Sequence, residues 1–150
     1  MKKFTDSVAL LAITAWAGGL WGIGYVAVPI LFRAQPDRVL AGVLAGQMLA
    51  LIAYIGLGCA CYLLAYYLGR SGKAALKQAV LWIVAAMLLL AIAQLVIQPI
   101  MVELKTQALP ADVMKSALAD RFRKLHGLAS ILYLVQSLLG AVLVLKARQR

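Results

Sequence analysis

Residues 79–102 read AVLWIVAAMLLLAIAQLVIQPIMV, twenty-four positions without a charged side chain. At about 1.5 Å of rise per residue, a helix of this length crosses the ~30 Å hydrocarbon core of a bilayer. Its most polar side chains, Gln94 and Gln98, are four apart and so share one helix face. Working outward, the same absence of charge recurs over residues 7–32, 39–69 and 125–145. Each gap is long enough to cross a membrane. Together the four predict an all-α integral membrane protein, a single domain over 1–150 built as an antiparallel bundle of four transmembrane helices.

The composition agrees. Of the 150 residues, 65% are hydrophobic and 13% charged, and the mean hydropathy is +0.94. A water-soluble domain carries roughly 25% charged residues, so about half the usual aqueous surface is missing. The net charge of +10 would point to nucleic acid in a soluble chain. Here Lys and Arg flank the spans, where they meet lipid headgroups, so the expected partner is the bilayer and not nucleic acid. Lys2 and Lys3 ahead of an apolar run imitate a secretory leader, with Ala15, Trp16 and Ala17 as a mock cleavage site. The run continues to Phe32, which predicts an uncleaved first span.

The connections are short. Pro36 and Asp37 form a helix start after the turn at Arg33, since Pro suits a first turn and Asp the positive dipole end. Pro110 and Asp112 repeat that chemistry. After them Val113, Met114, Ala117, Leu118, Phe122 and Leu125 recur at helical spacing among Lys115, Arg121 and Lys124, which predicts a short interfacial amphipathic helix before the fourth span. With an even number of spans both termini share a side. That side carries eight Lys and Arg (Lys2, Lys3, Arg70, Lys73, Lys77, Lys146, Arg148, Arg150) against seven on the other. The positive-inside rule then places both termini in the cytoplasm, in a multi-pass protein of the cell inner membrane.

Each span carries one stripe of small and polar residues. The stripes are Ser7, Thr14, Gly18, Trp21, Gly22, Tyr25 and Pro29; then Gln47, Tyr54, Gly58, Cys61 and Ala65; then Met87, Ala91, Gln94, Gln98 and Met101; and finally His126, Ser130, Tyr133, Ser137 and Gly140, with Gln136 beside them. Membrane helices associate through small residues and interhelical hydrogen bonds, so the stripes are expected to face inward. As packing groups they are worth about 0.6 kcal/mol per bond. As a site they would line a ligand cavity with Tyr25, Gln47, Gln94, Gln98, Tyr133 and His126. Gly42 and Gly46 form a GxxxG on another face of the second span, the spacing of a contact with a neighbouring helix, a second copy or a larger complex. Pro29 and Pro99 deprive the Tyr25 and Leu95 carbonyls of their helical donors, which predicts kinks near the bundle mouth.

The residue inventory excludes several chemistries. His126 is the single histidine, which rules out bis-histidine haem and multi-histidine zinc. Soft ligands for Cu(I) exist in Cys61 with Met87 or Met48, although Cys59 and Cys61 point some 160° apart on one helix and cannot share an ion. Asp6, Asp37, Glu103, Asp112 and Asp120 all sit at or beyond span ends, whereas proton-coupled carriers place ionisable groups at depth. Glycine-rich phosphate loops, nucleophile triads and HExxH motifs are missing, so no enzyme and no cofactor is expected.

The segment 31–33 (LFR) with Pro36, Asp37 and Arg38, the glycine-rich first span, and 122–127 (FRKLHG) leading to Ser130 and 136–140 (QSLLG) resemble the transmembrane-protein-205-like family. More distantly the layout is similar to copper-resistance D proteins and to the four-helix protoporphyrinogen oxidases that use haem. The resemblance implies four spans and no established reaction. Three functions follow as expectations: foremost a non-enzymatic accessory or scaffold subunit, then a small carrier or binder of a metal ion such as copper or of an apolar compound, and last a haem-linked redox protein.

Overall fold

The computed structural model describes residues 2–109 and 111–148, so the role expected of Pro110 lies outside the described residues. All regular structure among them is helical. The first span is α1 (Lys2–Trp21), a π-helical turn (Gly22–Ala27) and α2 (Val28–Ala34) run together. There follow α3 (Arg38–Ser71), α4 (Ala79–Ala108) and α5 (Ala119–Arg148). Four stretches are long and apolar enough to cross a membrane: Lys3–Ala34, Arg38–Lys77, Ala79–Ala108 and Ala119–Ala147. They run up and down in a ring. α1 and α4 each pack on α3 and α5, while the backbones of the diagonal pairs stay apart among the described residues.

Local chemistry sets the helix ends. Gln35, ahead of Pro36, is held extended at φ −96° and ψ 114°, because the proline ring disfavours helix at the preceding residue. Asp37 then caps α3, its Oδ1 accepting from the Val39 and Leu40 amides at 2.9 and 3.1 Å. At the far end Gly72 turns the chain with φ +52° and ψ −135°, a conformation that a Cβ opposes. Gly72→Ala is therefore expected to cost about 1–2 kcal/mol, read as a lower midpoint in equilibrium unfolding from mixed micelles.

The core fills the half of the bundle nearer the termini. Ile13, Trp16, Leu20, Leu63, Val84, Met87 and Leu143 are fully buried there. Large side chains fit against missing ones: a Cβ on Gly56 would overlap the Trp16 indole, and one on Gly19 would overlap Ile52. The same end is laced by Asp6, which pairs with Arg70 and accepts from the Tyr66 hydroxyl.

Two expectations are corrected. Most residues of the polar stripes of the first two spans do not face inward: Ser7, Thr14, Gly18, Gly22 and Pro29, and Gln47, Tyr54, Gly58, Cys61 and Ala65, are all exposed, whereas Trp21 and Tyr25 reach Ser137 on α5. The inward faces are Ala9, Ile13, Trp16, Ala17 and Leu20 on α1, and Ala41, Ala45, Ile52, Ala53, Gly56, Ala60 and Leu63 on α3. Ser7 and Thr14 spend their hydroxyls on their own helix, on the carbonyls of Lys3 at 3.0 Å and Leu10 at 2.9 Å, so neither needs a partner across the bundle. Alanines, with Gly19 and Gly56, supply the close approach that the stripe residues were expected to give.

Gly42 and Gly46 face α4 of the same chain, the neighbouring-helix alternative. Lys105 Nζ donates to the Gly42 carbonyl at 2.9 Å, and the Gln98 amide lies against Gly46. The amphipathic helix before the fourth span is in fact one 3₁₀ turn (Val113–Lys115). It is capped by Asp112 through the Met114 amide at 3.0 Å and closed by Ser116, whose hydroxyl accepts from the Leu118 amide at 3.1 Å. These local bonds compete with helix. The periodic apolar residues are used nonetheless: Val113 and Phe122 are buried with Leu104 and Ala108 in a small second cluster, and α5 begins at Ala119, earlier than expected.

Candidate functional site

On the side of the bundle away from the termini the core gives way to a cavity of about 430 Å³, walled by all four spans. The first span contributes Gly24, Tyr25 and Val28, α3 contributes Leu49, Ala50 and Ala53, α4 contributes Gln94, Leu95, Gln98 and Met101, and α5 contributes His126, Ala129, Ser130, Tyr133 and Leu134. Five of the residues expected to line a cavity meet here: Tyr25, Gln94, Gln98, His126 and Tyr133. Gln47 does not; it is exposed on the outer face of α3. The α3 wall is instead wholly apolar, and periodicity alone gave it no signal.

The π turn shapes one wall. Gly24 lies in it, and a Cβ at that position would overlap the Tyr133 ring. Tyr133 sends its hydroxyl to the Leu20 carbonyl just before the turn, at 2.7 Å. Tyr25 meets the Tyr133 ring edge-on at 6.1 Å and donates to Ser137 Oγ at 3.0 Å, while Trp21 Nε1 donates to the Ser137 carbonyl at 3.3 Å. Below them Gln94 Nε2 donates to Gln136 Oε1 at 2.9 Å. Buried Gln136 in turn donates to the Met87 carbonyl at 3.1 Å. The signal for Gly24 was present in the sequence as 22–25 (GIGY) four residues ahead of Pro29. π turns of this kind recur at functional sites.

Two lining groups are not spent on the protein. Among the described residues neither the Gln98 amide nor the His126 imidazole makes a hydrogen bond. His126 stacks on Phe122, ring centroids 5.8 Å apart and planes within 10°. Lys105 Nζ lies 5.5 Å over the same Phe122 ring, tied by its bond to Gly42 and outside the cavity lining. The lining therefore carries no Asp, Glu, Lys or Arg, and its free hydrogen-bonding capacity lies in Gln98, His126 and the Gln94 oxygen. The soft-ligand pair is not assembled: Cys61 is exposed on α3, whereas Met87 is fully buried against α5. Among the described residues no group of three or more His, Cys, Asp or Glu converges on one point.

A family model described as "Domain of unknown function (DUF4149)" matches residues 11–110, which covers most of the first span, all of α3 and α4, and with them three of the four cavity walls. No curated protein and no solved structure matches the chain.

Proposed function

Since the chain belongs to the DUF4149 family, whose description assigns no activity, we propose its function from the cavity: a non-enzymatic intramembrane binder of a neutral, largely apolar molecule that carries oxygen or nitrogen functions. The observation that supports this is the pair of unpartnered polar side chains, Gln98 and His126, in a lining that is otherwise apolar or internally satisfied. An unmade hydrogen bond in an apolar setting is costly for partly buried Gln98, exposed His126 adds a second polar group at the mouth, and a few convergent polar groups in an apolar pocket of 300–1,000 Å³ are how small molecules are held. The lining has no charge to balance a charged ligand. A scaffold subunit, the foremost expectation from sequence, has no need of such a space.

The resemblance to the transmembrane-protein-205-like family fits this reading at one point: its Leu125, His126, Gly127 segment brings His126 to the cavity mouth. In the proposed orientation both termini are cytoplasmic, in the cell inner membrane, and the cavity lies in the opposite half. Reporter fusions after Lys146 and near Leu109 check this, the expected outcome being cytoplasmic activity at the first and external activity at the second.

The ligand itself is sought by solvent extraction and mass spectrometry of protein purified in nanodiscs. Gln98→Leu keeps the volume and removes the amide, so its expected effect is roughly a tenfold loss of the retained species, the worth of one hydrogen bond of about 1–1.5 kcal/mol. If wild type and Gln98→Leu retain the same species equally, or neither retains any, the binding reading fails. Protein partners recovered in equal yield from both would then favour the scaffold.

A further inference from the structure

A second space of about 470 Å³ lies beside the cavity, on the outer side of the α3–α4 seam. Ala50, Leu95 and Gln98 line both spaces, so the two are separated by the thickness of these side chains alone. The outer groove is otherwise bounded by Tyr54, Pro99, Val102 and Glu103, and Tyr54 and Val102 are 61% and 51% exposed on a face that meets lipid. Polar capacity is concentrated at the threshold. Gln98 makes no hydrogen bond among the described residues, and the Leu95 carbonyl lacks its helical donor because Pro99 has no N–H. In hydrocarbon such groups are costly unless something uses them.

We infer that the cavity is filled sideways from the bilayer through this groove, and that its occupant is a tailed molecule. Its neutral polar head sits among Gln94, Gln98 and His126, and its hydrocarbon chain passes Ala50 and Leu95 to lie between Tyr54 and Val102. This rests on the binding role proposed above. Two adjoining spaces of similar size, both mainly apolar in lining and with Gln98 between them, fit a polar head held at the threshold and a hydrocarbon chain better than a compact ligand.

The full-length protein in phosphatidylcholine nanodiscs, photolabelled with a hexadecanol carrying a mid-chain diazirine, tests this. The expected result is labelling of peptides bearing Tyr54 or Val102 and of cavity residues, displaced by excess plain hexadecanol. A short-chain diazirine alcohol should bind at least tenfold more weakly. Val102→Trp fills the groove from an exposed position that the fold tolerates, and should lower labelling at both places at least tenfold. Cavity labelling unchanged in Val102→Trp, or equal labelling by the short probe, would overturn lateral entry of a tailed molecule while leaving the cavity a binding site. Groove labelling that plain hexadecanol does not displace marks ordinary lipid contact and also overturns it. Absence of displaceable labelling at both places overturns this inference and the binding role together.

Discussion

Gly56→Ala is expected to destabilise the folded bundle by about 1–3 kcal/mol, the usual cost of forcing a methyl group into a packed core. In a helix interior the same change ordinarily gains up to about 1 kcal/mol, so the sign is diagnostic. The reason is the Trp16 indole, fully buried and seated where the new Cβ would stand. Gly18 and Gly58 provide the contrast, since a Cβ at either meets nothing within 4 Å; Gly18→Ala and Gly58→Ala should be neutral or stabilising. Trp16→Leu combined with Gly56→Ala should recover part of the loss, with a coupling of about 0.5–3 kcal/mol. Equilibrium unfolding in mixed micelles measures all of these, with Trp16→Leu alone completing the cycle. Should Gly56→Ala behave like Gly58→Ala, the packing of α1 on α3 described here would be wrong.

The second large effect is expected at Gly24. Gly24→Ala drives a methyl group into the Tyr133 ring, which must move away from the π turn. The movement gives up the hydroxyl bond to the Leu20 carbonyl and the edge contact with Tyr25, worth together about 2 kcal/mol. Because Tyr25 and Tyr133 both wall the cavity, the retained ligand should fall at least tenfold, beyond the stability change. Gly22→Ala, two residues away in the same turn and facing open space, should leave stability and ligand content as in wild type. Equal ligand content in Gly24→Ala and Gly22→Ala would separate the π turn from the site.

Hydrophobicity and charge made the four spans readable from sequence because the bilayer imposes length and excludes charge at depth. Helix rotation was far less readable. On α4 the glutamines marked the inward face, since Gln94 and Gln98 have no local backbone group to satisfy them. On α1 the hydroxyls of Ser7 and Thr14 misled, because their own helix satisfies them. On α3 the polar residues Gln47 and Tyr54 face outward while alanines make the contact. Lipid is as apolar as leucine, so burial of apolar area gives no rotational preference, and side-chain volume decides. The cavity was legible through its polar residues and illegible through its apolar ones: Leu49, Ala50 and Ala53 look like any other lipid-facing positions. The loop before α5 was misread because Asp112 and Ser116 spend their side chains on local turns, which periodicity does not register.

The buried Trp16 indole N–H finds no acceptor among the described residues, whereas Trp21 donates to the Ser137 carbonyl beside the cavity and Trp82 to the Leu76 carbonyl at an exposed position. The three tryptophans thus differ in the one respect that sets indole emission, the polarity and hydrogen bonding around the ring nitrogen. Trp16 should emit at the shortest wavelength and resist aqueous quenchers. Trp21, bonded to the residue that also holds Tyr25, should shift when the cavity is occupied. Fluorescence from the native chain can therefore report core integrity and cavity occupancy separately, without an attached dye.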